Sequence, residues 1–161
     1  MKSIRWLVVV LGALAVALVG AAQLGLLGGS APPDLGVTKG RLEPPSSTPN
    51  SVSSQSNLYP GHPQQAYAAI EPLKFSGDGE AAMVRLASLL TRLPGTVVVV
   101  QRSDYLYAQS STRLLKFTDD VEFLLDKSAG AIQVRSASRL GRKDFGVNRA
   151  RIEDIRARFQ G

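Results

Sequence analysis

Two alternating stretches, Asp120–Asp126 and Ala131–Arg139, are joined by a turn through Ser128, Ala129 and Gly130, and this pattern leaves few choices of fold. Successive strand side chains point to opposite faces. A register that sets Asp126 opposite Ala131 therefore puts Val121, Phe123 and Leu125 on one face with Ile132, Val134, Ser136 and Ser138. That face is apolar and must be covered. Asp120, Glu122 and Asp126 then share the reverse face with Gln133, Arg135 and Arg139, and Glu122 stands directly opposite Arg135. Such a cross-strand pair is worth about 0.2–1 kcal/mol, so it fixes register more than it stabilises.

The covers lie on either side in sequence. Asp78 reads as a helix N-cap, and Met83, Leu86, Leu90 and Leu93 recur at helical spacing until Pro94 ends the run. Val97–Arg102 and Tyr105–Thr112 read as a hairpin turning at Ser103 and Asp104. A last helix carries Ile152, Ile155 and Phe159 inward, with Asn148 as its expected N-cap and an Asp154–Arg158 pair on its outside. Ser136 and Ser138 are small enough for a helix to approach closely. The expected fold class is α+β, a small antiparallel sheet with two helices packed on one face in the order α-β-β-β-β-α, over residues 58–161.

Before this domain, Trp6–Leu27 is apolar apart from Gln23 and small glycines, and Lys2 and Arg5 precede it. The run is long enough to cross a bilayer and outlasts the core of a usual signal peptide, so residues 1–28 read as a transmembrane anchor or uncleaved signal. The leading basic residues place the N-terminus in the cytoplasm and the domain on the extracytoplasmic side of a single-pass membrane protein. Residues 29–57 read as a Pro/Ser/Gly-rich linker or extended arm, and composition alone favours disorder for it.

With no cysteine there is no disulfide, thiolate nucleophile or cysteine-ligated metal, and the one histidine, His62, lies in a turn-rich stretch between Pro60 and Pro63. No cofactor or metal site is expected. The net charge is +6, and the basic excess gathers toward the C-terminus, where eight basic residues from Arg135 onward meet three acidic ones. Asp119, Asp120 and Glu122 form an acidic cluster near Arg135, Arg139 and Arg149. Neighbouring guanidinium groups favour structural ion pairs over acid-base or cation work. Gly141–Gly146, with Arg142 and Lys143, leads into a helix whose first turn holds Arg149 and Arg151; cations there oppose the helix dipole and call for a negative partner, either an anionic ligand or an internal acid such as Asp119 or Asp120. Tyr105, Tyr107 and Gln109 share one side of their strand and are expected to pack within the hairpin rather than stack on bases.

Pro49–Gln55, Phe117–Phe123, Val134–Arg139 and Gly146–Arg149 together resemble the marks of a family of bacterial and plastid proteins catalogued as domain of unknown function 1499. The resemblance brings no established activity. It implies that the arm around Asn50–Gln55 is ordered on the domain, and its members often carry cysteines near the positions of Pro45 and Ser51, both absent here. The sequence reading is a membrane-tethered extracytoplasmic binding or assembly module with no nucleic-acid partner. Its partner is an anionic small molecule, lipid headgroup or envelope protein, met by Arg135, Arg139, Arg142 and Arg149, with Asp119, Asp120, Glu122 and Asn148 orienting them. The alternative is a hydrolase-type enzyme using Asp119, Asp120 or Glu122.

Overall fold

The computed structural model describes residues 2–159; Met1, Gln160 and Gly161, which fall within the expected anchor and domain, lie outside the described residues. The elements in chain order are α1 (Lys2–Gln23), β1 (Val37–Thr38), β2 (Arg41–Leu42), β3 (Ser51–Ser53), a 3-10 turn (Ser56–Leu58), α2 (Gln65–Ala68), β4 (Leu73–Lys74), α3 (Gly79–Leu90), β5 (Thr96–Gln101), β6 (Tyr105–Ser111), β7 (Thr118–Asp126), β8 (Ala131–Ser138) and α4 (Val147–Arg158). The expected run from one helix through four strands to a second helix is α3-β5-β6-β7-β8-α4.

The sheet is antiparallel in the order β3-β8-β7-β6-β5, and β4 also pairs with β8. The β7–β8 register is the one the alternation predicts, with Glu122 opposite Arg135 and Asp126 opposite Ala131. Asp126 closes the turn by accepting from the Ser128 hydroxyl and the Ala129 amide. Val121, Phe123, Leu125, Ile132 and Val134 form one core with Met83, Leu86 and Leu90 of α3 and Ile152 and Ile155 of α4. Asp78 caps α3 through the Ala81 amide.

A β-bulge at Val99 alters the β5 pattern, since Val98 pairs with Ala108 but Val100 with Tyr107. The extra residue reverses parity, so Val98 joins the helix-side core while Val100 joins a second cluster on the reverse face.

That second cluster contains Leu42, Tyr105, Tyr107 and Leu124, with Leu35 and Val37 against it. The arm that composition favours as disordered is thus laid across the reverse face, while β3 extends the sheet along β8. Its few apolar residues suffice because polar groups hold the backbone: Gln55 accepts from the Leu42 amide at 2.8 Å, and Ser51 Oγ accepts from the Ser46 amide at 2.8 Å. Order here agrees with what the resemblance implies.

Candidate functional site

The predicted site residues fall into three places. On the reverse face, Glu122 is fully buried and accepts from Arg135 Nη1 at 3.0 Å, the Tyr105 hydroxyl at 2.8 Å and the Gly36 amide at 2.8 Å. Asp120 accepts from Arg139 Nη2 at 2.7 Å and the Tyr107 hydroxyl at 2.6 Å. Arg135 also donates to the Pro44 carbonyl, and Arg139 to that of Gly29. Each acid is matched with one arginine and one tyrosine, and the arm closes over them. Burial, with the adjacent Glu122 charge and hydrogen bond, pushes the Tyr105 hydroxyl well above its ordinary range, and burial with the Asp120 hydrogen bond raises that of Tyr107. Arg135 and Arg139 serve the interior.

Asp119 emerges from the opposite side of β7, because adjacent strand residues cannot share a face. It pairs with Arg151 of α4, and this supplies the negative charge that the basic first turn requires. Asp119 and Asp120 therefore stand on different faces of the sheet and do not face each other as a carboxylate pair.

Asn148 is not the N-cap of α4. Gly146 occupies that position in a left-handed conformation (φ 84°), and the Asp144 carboxylate accepts from the Gly146 and Asn148 amides, both at 3.1 Å. Asn148, fully buried, instead ties separate segments together: its Nδ2 donates to the Asn50 carbonyl (3.0 Å), Ser138 Oγ (2.9 Å) and Asp144 Oδ2 (3.0 Å), while its Oδ1 accepts from Ser136 Oγ (2.6 Å) and Arg151 (2.8 Å). Burial pushes the Asp144 carboxyl up, but the Tyr67 hydroxyl and the Gly146 and Asn148 donors outweigh it and hold the group below the ordinary carboxylate range. Arg149 donates to the Tyr67 carbonyl at 2.6 Å. This network escaped sequence reasoning, since its members come from four distant segments; the shared signal was the set of motifs around Asn50, Ser136 and Asn148.

The network supports a basic loop without filling the space beside it. Asn50 Nδ2 donates to the Gly141 carbonyl at 2.8 Å, and the Asp144 amide to the Pro49 carbonyl at 3.2 Å. Between this loop and the start of β7 lies a cavity of about 310 Å³, lined by Phe117, Leu140, Phe145 and Val147 with Lys143 and Asp119 among the polar groups. Arg142 and Lys143 are exposed on the loop.

Residues 41–159 match the sequence model of the family described as Protein of unknown function (DUF1499). The chain belongs to this family. All four DUF1499-like segments lie within the match, and three of them, around Asn50, Ser136 and Asn148, meet at the buried asparagine network. No curated protein shows a significant match, nor does any solved structure.

Proposed function

We propose that this DUF1499 protein is a membrane-tethered extracytoplasmic binding module that takes an anionic ligand with an apolar body in the cavity beside the basic loop. The observation that carries this reading is the composition of the cavity wall, four large apolar side chains with Lys143 at hand, while the two carboxylates in the wall, Asp119 and Asp144, are already engaged by Arg151 and by the Tyr67 hydroxyl. A charged head beside Lys143 and a chain against Phe117, Leu140 and Val147 match that wall. Arg142 adds positive potential from the same loop. Arg135 and Arg139, neutralised inside, give the loop a rigid base rather than contacts to the ligand. The tether is α1, apolar from Trp6 onward, and Lys2 and Arg5 ahead of that run favour a cytoplasmic N-terminus.

Octyl phosphate, a soluble anionic amphiphile, tests the reading by thermal unfolding of the full chain in a neutral detergent. Saturable stabilisation is expected, about 2.7 kcal/mol at a hundred times Kd, with no comparable effect from octanol or inorganic phosphate alone. Lys143→Glu removes it. A melting curve that octyl phosphate leaves unmoved contradicts the reading.

A further inference from the structure

The apolar wall of the cavity continues onto the surface. Phe145 is 93% exposed, and Leu114, Leu140, Phe117 and Val147 are each 40% exposed or more. Phe145 holds its ring outward from a left-handed backbone (φ 53°), a conformation that bulky residues seldom adopt. Arg113, Arg142 and Lys143 are exposed on the same two loops, 112–117 and 140–146. Cations on the same loops as projecting aromatic and aliphatic side chains suit an anionic lipid surface.

The place of this patch in the chain decides which surface it meets. From Trp6, just after Arg5, to Gln23 the helix rises about 27 Å at 1.5 Å per residue, so with Arg5 at one face of the hydrocarbon layer Gln23 stands at the boundary on the other. Gln23 Nε2 donates to the Leu114 carbonyl at 3.0 Å, which holds the 112–117 loop at that depth. Gly29, a few residues further on, lies against the Leu140 side chain, and its carbonyl accepts from Arg139. Both loops of the patch are therefore fastened to the stretch of chain that leaves the bilayer.

We infer that this face is a bilayer-docking surface: Phe145, Leu140 and Leu114 enter the boundary between headgroups and acyl chains of the membrane that α1 spans, and Arg113, Arg142 and Lys143 meet lipid phosphates. The inference rests on the tethering half of the reading above and is independent of whether the cavity takes a ligand. The mouth of the cavity opens at the lipid surface.

The absence of native cysteine allows single-cysteine probes on the full chain. An environment-sensitive fluorophore is attached to Phe145→Cys, Leu140→Cys, Ala129→Cys or Val16→Cys in vesicles of equal parts phosphatidylcholine and phosphatidylglycerol, with nitroxide-labelled lipid as quencher. Val16 lies in the span, and Ala129, exposed in the β7–β8 turn, provides a comparison at the end of the sheet opposite the patch. The probes at 145 and 140 are expected to lose most of their emission, as the probe at 16 does, while the probe at 129 keeps its own. Quenching at 16 without quenching at 145 and 140 overturns the docking surface and leaves the tether standing. Emission unaffected at 16 removes the tether and the docking surface together.

Discussion

Glu122 and Arg135 are the pair on which the reverse face depends. With side chains 0% and 9% exposed, the ion pair has lost its water, and its favourable energy comes from geometry and from the added Tyr105, Gly36 and Pro44 bonds. Glu122→Gln alone is expected to cost about 3–5 kcal/mol in urea unfolding, because it strands a buried guanidinium. Adding Arg135→Met is expected to recover most of the loss, since glutamine still accepts a hydrogen bond where the carboxylate did. A single substitution that costs under about 1 kcal/mol would instead mean that Arg135 reaches water. The cross-strand match was legible in the sequence because a period of two leaves no freedom once one pair is set. Asn148 was not: an asparagine just ahead of a helical run reads as a cap, and only the fold brings Asn50, Ser136 and Ser138 to its amide.

Among the elements, α4 shows how a polar anchor and an apolar stripe divide the work. Ile152 and Ile155 bury its inner face, while the Asp144 carboxylate satisfies its first amides from outside the helix. Replacing Asp144 by Ala should cost roughly 0.5–2 kcal/mol, the usual range for losing a cap, seen as a lower melting temperature. The pH dependence has a definite sign. The folded carboxyl lies below its ordinary value of 3.8, so its contribution is present above that pH and is lost as pH falls through the lower folded value. The Ala variant should therefore show a shallower acid limb. The stripes of α3 and α4 were legible from helical spacing, and both predicted hairpins formed. The β5 bulge was not, because Val97–Val100 offers four equivalent valines and no local mark of which one is extra. Residues 35–44 of the arm were equally hidden, since Glu122, Gln55 and Arg135 hold their backbone and no periodicity records such bonds, whereas order around Asn50–Gln55 was implied by the resemblance.

For the molecule as a whole, the sheet is covered twice, by two helices on its apolar face and by residues 35–44 on its charged face. This second cover turns a charged surface into an interior that holds Arg135 and Arg139. Hydrogen exchange of the full chain in lipid, read by mass spectrometry, tests that arrangement in a single experiment. Gly36 and Leu42, whose amides are bound by Glu122 and Gln55, are expected to exchange slowly alongside β6 and β7, while the exposed loop at 140–143 exchanges fast. Rapid exchange throughout residues 35–44, at the rate of an unstructured tether, would contradict it and return Arg135 and Arg139 to the surface.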